Sequence, residues 1–251
     1  MSPGAGHGKG TRAAEQPGIY DPTAYPPFAV TVDLALMTVR AGSLQTVLVQ
    51  RDEAPFAGQW ALPGGFVQAE EDLDEATRRV FETKTGLALP HAEQLATYAT
   101  PGRDPRMRVV SVAYLVLLPA GAEPAVPSHE RAAFFDVAGL PDLAFDHSAI
   151  LADAVARAQA KLEYTTLAAA WLPVEFTMGD LRRVYEAVWQ VGLHQGNFTR
   201  KVKSVPGFVV PTGNHRRTTG APELYRRGPA ELMMPPLMRP NDQGPVGHTL
   251  G

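Results

Sequence analysis

One stretch in the first half of the chain constrains its fold most strongly. Residues 64–87 read GGFVQAEEDLDEATRRVFETKTGL. A Gly-Gly turn leads into an acidic run that predicts a helix over residues 72–85. The apolar residues of this helix recur at helical spacing on one face: Leu73, Ala76, Val80 and Phe81. Gly86 follows the last of them and suits a C-cap, so a loop, a helix and a second loop are expected in that order.

Segments on either side of this stretch predict strands. Residues 28–39 (FAVTVDLALMTV) and 44–51 (LQTVLVQR) are rich in β-forming side chains and are separated by a turn. Residues 91–119 indicate a strand, a charged loop and a long apolar strand, and residues 131–147 a further strand and turn. Mixed strands around a central helix predict an α/β sandwich over residues 25–148. A linker helix is expected to follow over residues 149–164.

The sequence after residue 164 has a pattern typical of helices. It predicts a helix over residues 178–190, for which either Thr177 or Asp180 is the cap, and a short basic helix over residues 197–205. Two strands around a basic loop follow. Helix, turn, helix and β-loop is the order of a winged helix-turn-helix, here predicted over residues 165–228. The chain ends, residues 1–24 and 229–251, are predicted to be disordered tails.

Charge and composition narrow the classes of function. Residues 161–227 carry ten Lys/Arg and five Asp/Glu, whereas the whole chain has a net charge of −3. A basic C-terminal third favours a polyanionic partner for that part. The absence of cysteine excludes disulfides and thiolate metal sites. No apolar run approaches the roughly 20 residues of a membrane span, and the N-terminus lacks a secretion signal, so a cytoplasmic protein is expected.

The spacing of three residues in the constraining stretch resembles the Nudix box. Gly65, Glu71 and Arg79 meet the pattern G-x5-E-x7-R, and the stretch closes with Thr-Gly-Leu at residues 85–87. Residues 62–66 (LPGGF) also match the common lead-in to that box. The resemblance implies a Nudix-type α/β/α sandwich ahead of the winged helix-turn-helix. It also implies that the structural residues of the box are Glu71, Arg79 and Gly86.

The sequence departs from the Nudix box where working enzymes carry metal-binding glutamates. Those positions are Val80, Thr83 and Lys84. On a helix they fall on one face, about 5–6 Å apart, where three carboxylates would hold Mg²⁺ or Mn²⁺ against a diphosphate. Here one side chain is apolar, one is neutral and one is a cation. We therefore expect no metal and no catalytic residue. The remaining nearby acids are interpreted as favourable charges at a helix N-terminus and solvated surface.

The combination of an eroded box and a basic winged helix-turn-helix resembles the Nudix-related transcriptional regulators of NAD metabolism, the NrtR family. The stretches that agree with this family are residues 25–27 (YPP), Arg51, residues 60–66 (WALPGGF), residues 102–106 (GRDPR) and residues 196–201 (GNFTRK). The resemblance implies a DNA-binding repressor that senses ADP-ribose or a related nucleotide and controls genes of NAD metabolism. The nucleotide would be an effector, and no cofactor is expected.

A diphosphate nucleotide needs cations, approachable backbone N–H groups and an aromatic face. Arginines on loops supply bidentate donors, glycines admit a phosphate closely, and Phe56, Trp60, Phe66 or Tyr114 offers a ring for adenine. Core packing is the favoured interpretation of Tyr114. For residues 103–106 a solvated turn with an internal ion pair is the alternative. The predicted ligand-binding residues are Arg51, Trp60, Gly64, Gly65, Phe66, Arg103, Asp104 and Arg106.

The second helix of the predicted helix-turn-helix would enter the major groove of double-stranded DNA. Asn197 suits an adenine edge and Arg200 suits guanine or phosphate. Two lysines on the same helix suit phosphates, and the wing suits the backbone or minor groove. The predicted DNA-binding residues are Asn197, Thr199, Arg200, Lys201, Lys203, His215, Arg216 and Arg217. A homodimer on a palindromic operator is expected, because a two-fold protein matches a two-fold site.

Two other classes of function remain open from the sequence. One is an active Nudix pyrophosphatase that cleaves ADP-ribose-type diphosphates with displaced metal ligands. The other is a protein that binds a nucleotide or a protein partner and has no role at DNA. Retention of DNA affinity and its salt dependence without Arg200 and Lys201 would favour the latter.

Overall fold

A mixed sheet occupies the first half of the molecule. The computed structural model describes residues 21–122, 131–217 and 220–240. In these residues the sheet has seven strands: β1 (Ala29–Arg40), β2 (Ser43–Gln50), β3 (Trp60–Ala61), β4 (Gly64–Phe66), β5 (His91–Tyr98), β6 (Val109–Leu117) and β7 (Arg131–Asp136). Helix α1 (Leu73–Thr85) lies between β4 and β5 in the chain, and α2 (His147–Tyr164) follows β7.

Strands β1 and β6 lie at the centre of this sheet. They pair with each other and run parallel. The strands of the sheet follow the spatial order β3-β2-β1-β6-β5; in addition, β4 pairs with β1, and β7 pairs with β2. Both central strands are mostly apolar on both faces because helices cover both sides of the sheet, and Asp33 of β1 is a buried charged exception. Leu34 and Leu36 pack with the α1 side, and Ala35 and Met37 pack with the α2 side. The predicted α/β/α sandwich is confirmed.

Helix α1 has the termini that its sequence predicts. Asp72 is the N-cap and accepts a hydrogen bond from the N–H of Glu75, whose side chain accepts one from the N–H of Asp72 in return. This capping box satisfies two N–H groups that the first turn leaves unpaired. Gly86 ends the helix with φ of 68°, a left-handed conformation that glycine adopts without steric cost. The interpretation of Asp72 and Glu75 as acids that serve the helix start therefore holds.

The second half of the described chain forms the predicted winged helix-turn-helix. Its elements are a 3-10 helix (Thr166–Trp171), α3 (Met178–Trp189), α4 (Gln195–Ser204), and the two-stranded sheet of β8 (Val209–His215) and β9 (Glu223–Arg227). Both candidate caps of α3 are used. Thr177 is the N-cap and Asp180 is its partner at the third helical position, in a second capping box.

The segment after β9 differs from the sequence prediction. A disordered tail was expected from residue 229, but residues 229–240 pack against the rest of the chain. Met233 and Leu237 are buried, and their N–H groups donate to Tyr164 O and Glu163 O at 2.8 and 2.7 Å. Their burial explains the difference, because it removes apolar surface from water. The predictions for residues 1–20 and 241–251 lie outside the described residues.

The two halves of the molecule share one continuous core. Trp171 is fully buried and its indole N–H donates to Met37 O of β1 at 3.0 Å. Ala120, after β6, donates its N–H to Trp171 O at 2.9 Å. The winged helix is therefore packed directly on the sandwich. None of the helices in the described ranges is long and apolar enough to cross a bilayer.

Candidate functional site

A cleft of about 220 Å³ opens beside the Gly-Gly turn of β4. Strands β1 to β4, the loop after β2, α1, the β5–β6 loop and the start of α2 all contribute to its walls. Seven of the eight predicted ligand-binding residues line it: Arg51, Gly64, Gly65, Phe66, Arg103, Asp104 and Arg106. Trp60 does not line the cleft, because its ring packs edge-on against Phe135 of β7, with ring centres 4.8 Å apart.

The two glycines of β4 are required for close packing. A Cβ atom on Gly64 would lie 2.2 Å from Asp33 Oδ1 and 2.9 Å from Val32 O. A Cβ atom on Gly65 would lie 2.9 Å from a methyl group of Val80 on α1. These distances are too short for real contacts, so glycine lets β4 approach both β1 and α1. The sequence predicted that this pair lets a phosphate approach the backbone closely. The structure shows that glycine at both positions is also needed for the packing of β4.

Arg103 lies at the floor of the cleft in a buried cluster of charges. Its guanidinium donates to Asp146 at 2.6 and 2.9 Å and lies 3.5 Å from Asp33, and its side chain is only 4% exposed. Burial acts against its charge, but the hydrogen bonds from Arg103 to Asp146 and the charge of Asp33 leave the pKa of Arg103 raised. The Arg103 guanidinium, which was predicted from the sequence to bind a diphosphate, therefore already contacts two carboxylates. Through these contacts Arg103 connects β1 to the start of α2.

His147, the first residue of α2, is buried in the same cluster. Its Nδ1 accepts the N–H of Leu62 at 2.9 Å, so the ring proton belongs on Nε2, which lies 3.7 Å from Asp33 Oδ1. Burial lowers the pKa of His147, which keeps the ring neutral near pH 7. Asp33, Asp146 and His147 were not predicted from the sequence as residues of the site. Asp33 could have been identified from the sequence, because it is a charged residue within the apolar segment 28–39.

Arginines and aromatic rings form the mouth of the cleft. Arg106 donates to both carboxylate oxygens of Asp104, at 2.6 and 3.0 Å. This is the internal ion pair that was the alternative interpretation of residues 103–106. Its guanidinium also lies over Phe66 and Phe145, 5.5 and 5.7 Å from the ring centres. Arg51 donates to two backbone carbonyls and lies 4.8 Å from the centre of the Phe145 ring. Phe145 was missed by the sequence analysis.

Two further aromatic candidates do not line the cleft. Phe56 packs edge-on against Phe145 at 4.8 Å between ring centres, behind the mouth. Tyr114 is buried in β6 among the residues that pack on α1. The interpretation of Tyr114 as core is confirmed.

Glu71 and Arg79 join the loop before α1 to the helix itself. Arg79 donates through Nε and Nη2 to the Glu71 carboxylate, with the Nε contact at 2.8 Å, and also to Phe66 O at 3.0 Å. Glu71 in turn accepts the N–H of Gln68 at 2.8 Å. These contacts are the loop-to-helix connection that the Nudix resemblance implies for this pair. The hydrogen bond from Arg79 lowers the pKa of Glu71 to about 2.

The three positions for which the Nudix resemblance implies metal-binding glutamates have different surroundings. Val80 is buried in the core beneath Gly65, Thr83 is exposed on the outer side of α1, and Lys84 is half-buried and lines the cleft. The donors present at these positions do not fit a hard divalent cation, which requires several oxygen ligands. Within the described residues, no group of three or more His, Cys, Asp or Glu could hold a metal.

Helix α4 presents part of the predicted DNA-binding set on one exposed face. Asn197, Arg200 and Lys201 are exposed together, and Arg200 donates to the Asn197 side chain at 3.1 Å. Phe198 and Val202 are buried on the opposite face. The groove beside this exposed face is about 300 Å³ and is also lined by residues of the segment 229–240.

Other residues of the predicted DNA-binding set lie away from this face. Thr199 is half-buried, and Lys203 points to β9, where it lies 3.9 Å from Glu223 and 5.3 Å from the centre of the Tyr225 ring. Arg216 donates to both oxygens of Asp180 at 2.6 and 3.2 Å, which holds the wing to α3. His215 and Arg217 are exposed at the end of β8 and just beyond it.

Comparison with known proteins finds relatives for both halves of the chain. A family model of the NUDIX domain matches residues 28–156, and a model of the NrtR DNA-binding winged helix domain matches residues 168–226. The ADPR responsive transcriptional repressor NtrR of Acinetobacter baylyi is 36% identical over 213 residues, which are 82% of this chain and 85% of that protein.

Solved structures similar to this chain include two of NrtR from Shewanella oneidensis. The complex with a 27mer DNA has a TM-score of 0.71 and 32% identity, and the match covers 80% of this chain and 94% of that one. The NUDIX domain complexed with ADP ribose has a TM-score of 0.50 and 34% identity, and the match covers 55% of this chain and 94% of that one.

The Glu71–Arg79 pair predicts a specific dependence of stability on pH. Pairing lowers the folded-state pKa of Glu71 from 4.5 to about 2. The contribution of the ion pair to the stability of the folded protein is therefore complete above pH 4.5 and is lost as the pH falls towards 2. We expect Glu71→Gln to lower the unfolding temperature at pH 7, and the deficit to disappear near pH 2. Glu82→Gln, on an exposed carboxylate of the same helix, is the control. A deficit that stays constant from pH 7 to pH 2 would contradict the ion pair.

Proposed function

The chain belongs to the NrtR family, in which a NUDIX domain precedes a DNA-binding winged helix domain, and we propose that it is a transcriptional repressor controlled by a nucleotide. One observation carries the proposal. A cleft lined by arginines, glycines and aromatic rings lies in the NUDIX domain, and α2 runs from that cleft to the winged helix. This arrangement suits a sensor that binds a ligand in one place and acts in another.

We propose ADP-ribose, or a closely related nucleotide diphosphate, as the effector. The A. baylyi relative is named an ADPR responsive repressor, and the S. oneidensis NUDIX domain was crystallised with ADP ribose. The cleft offers matching chemistry, since Arg51 and Arg106 bring cations to its mouth and Phe66 and Phe145 bring ring faces. A diphosphate and an adenine need those two kinds of group. By the same proposal, the regulated genes are those of NAD metabolism.

The bound nucleotide would stay intact under this proposal. Hydrolysis by Nudix chemistry requires a metal to polarise the diphosphate and activate water, and Val80, Thr83 and Lys84 cannot assemble that site. The competing function, an active pyrophosphatase, is favoured by the NUDIX match and by acids on α1 and in the loop just before it. Two of these acids are already engaged, because Glu71 pairs with Arg79 and Glu75 caps the helix. That engagement supports the sensor over the hydrolase.

The DNA contact is proposed for the exposed face of α4. Asn197, Arg200 and Lys201 are the residues of the predicted set that this face brings together. Arg217 and His215 are exposed at the wing and are proposed to contact the DNA backbone, whereas Arg216 positions the wing through Asp180. The S. oneidensis relative was crystallised with DNA. We propose that two copies of the chain form a homodimer on a palindromic operator, so that each α4 enters one half-site.

Helix α2 is proposed to carry the coupling between nucleotide and DNA. Asp146 and His147 place its N-terminus in the charge cluster under the cleft. Near its other end, Gln159 accepts the indole N–H of Trp189 at 3.0 Å and donates to Val188 O at 3.0 Å. A nucleotide that favours one position of α2 would change DNA affinity by favouring one arrangement of α4.

Removal of two cations from α4 tests the DNA contact. We expect Arg200→Ala/Lys201→Ala to weaken binding to the promoter of the chain's own gene at least about tenfold, because two charged contacts to DNA are lost. The slope of log affinity against log salt should fall by about 1–2. Fluorescence anisotropy across a salt series measures both. Arg78→Ala, an exposed arginine on α1, is the control. Unchanged affinity and slope would favour a nucleotide-binding protein without a DNA role.

Asp146→Asn tests the coupling through α2. The amide keeps the shape of the side chain but weakens the pairing with Arg103 at the helix start. We expect DNA affinity without nucleotide to stay within about threefold, and the change caused by ADP-ribose to shrink by more than half. Anisotropy titrations with and without ADP-ribose measure this, and Asp142→Asn, on an exposed neighbour, is the control. A full ADP-ribose effect in Asp146→Asn would exclude this route.

A further inference from the structure

The segment after β9 packs across the base of the winged helix, and we call residues 229–240 the C-terminal strap. Met233 lies in the middle of the strap and is buried. Its N–H donates to the carbonyl of Tyr164, the last residue of α2, at 2.8 Å. Its sulfur accepts the hydroxyl of Tyr185, on α3, at 3.8 Å. The C-terminal strap is therefore packed against both α2 and α3.

Arg239, near the end of the strap, joins α2 to the last residue of α3. Its guanidinium donates to the carbonyl of Trp189 at 2.9 Å and to the side-chain oxygen of Gln159, on α2, at 3.4 Å. Its backbone N–H donates to the carboxylate of Glu163, one turn further along α2, at 3.3 Å. The carbonyls of the last turn of a helix lack partners within the helix, and a cation there is favourable. Arg239 therefore supplies the end of α3 with a charged donor that is also bound to α2.

The end of α3 sets the position of α4. The turn of residues 190–194 separates Trp189 from α4, and this turn is itself bound to α3. The N–H of Leu193 donates to Glu186 at 2.9 Å, and the carbonyl of Leu193 accepts from Arg182 at 3.2 Å. Because both partners of the turn belong to α3, the start of α4 follows any movement of α3.

The end of the strap also borders the face of α4 that is proposed to contact DNA. Leu237 and Pro240 line the groove of about 300 Å³ beside that face, as do Asn197 and Arg200 of α4. The guanidinium of Arg239 is held by its acceptors on α2 and α3. The C-terminal strap thus contacts the helix that starts at the cleft, the helix that precedes α4, and the edge of the DNA face.

We propose that the C-terminal strap positions α4 for recognition of its operator, and that Arg239 is the positioning residue of the strap. This inference rests on the proposed DNA contact of α4. The winged helix model matches residues 168–226, so the DNA-binding unit of this chain extends beyond the matched domain. Arg239 acts through Trp189 and not by contact with a phosphate. Its role therefore lies in recognition of the operator and not in the general electrostatic attraction to DNA.

Fluorescence anisotropy of the full chain with two duplexes of equal length, the promoter of its own gene and an unrelated sequence, tests the proposal. We expect Arg239→Met to weaken promoter binding about fivefold or more, because the end of α3 loses its charged donor. Binding to the unrelated duplex should change less than about twofold, since the cations of α4 are kept. For the same reason, the salt slope of promoter binding should change by less than about 0.5.

Two further variants test the contact with the end of α3. Arg239→Lys keeps a cation that can reach the carbonyl of Trp189, and its promoter affinity should stay within about threefold of the wild type. Promoter binding by Arg239→Lys as weak as that of Arg239→Met would contradict this contact. Arg78→Met removes an exposed arginine from α1 and should bind both duplexes as the wild type does.

Calorimetric titration with ADP-ribose separates positioning from a general disturbance of the fold. The three acceptors of Arg239 do not line the cleft. We therefore expect Arg239→Met to bind ADP-ribose within about twofold of the wild type, as distant sites act independently. Loss of ADP-ribose affinity as large as the loss of promoter affinity would contradict the positioning role.

The outcomes also separate this inference from the proposed function. If the wild type binds the promoter and Arg239→Met binds it as tightly as Arg78→Met, the role of the strap is wrong while DNA binding stands. A salt slope lower by about 1 would make Arg239 a phosphate contact, and equal weakening on both duplexes would exclude positioning. If the folded wild type binds neither duplex, the proposed DNA function fails together with this inference. Thermal unfolding establishes that each variant is folded, and Arg239→Gln, with the same expected results, replaces Arg239→Met if the latter is not.

Discussion

The buried guanidinium of Arg103, held between Asp33 and Asp146, is the interaction on which the rest of the structure depends. A buried charge that loses its partner costs about 3–5 kcal/mol, so these three side chains must stay together in the folded protein. They come from β1, from the β5–β6 loop and from the residue before α2. The floor of the cleft and the start of α2 therefore share the same contacts, and the proposed coupling between ligand and α2 would act through them.

The frame of the NUDIX domain is independent of metal chemistry. The Glu71–Arg79 pair, the capping box of Asp72 and the left-handed Gly86 hold loop, helix and loop in place through contacts among themselves. None of these contacts needs a carboxylate at the metal positions. The helix therefore keeps its fold with a core residue such as Val80 at one of those positions, and this frame suits the proposed site that binds a nucleotide without cleaving it.

The fold and most of the cleft lining were predicted from the sequence, whereas several side-chain contacts between distant residues were not. The α1 limits and the winged helix follow from periodicity, caps and turns, which depend on neighbouring residues. Whether an arginine also has a carboxylate partner depends on residues far away in the chain, so the pairing of Arg103 with Asp146 and of Arg216 with Asp180 was not predicted, and their roles at ligand and DNA stay predictions. Phe145 and His147 were missed for the same reason. The packing of residues 229–240 was missed because composition alone suggested a tail.

The cleft is proposed to bind a diphosphate, to leave it intact and to transmit its presence to DNA. The most direct measurement follows labelled promoter DNA by anisotropy and nucleotide by chromatography in one sample with ADP-ribose and magnesium. The account predicts an ADP-ribose-dependent change in DNA affinity of about fivefold or more, with ADP-ribose recovered unchanged. Accumulation of AMP on a catalytic timescale, together with no binding to any DNA tested, would contradict it.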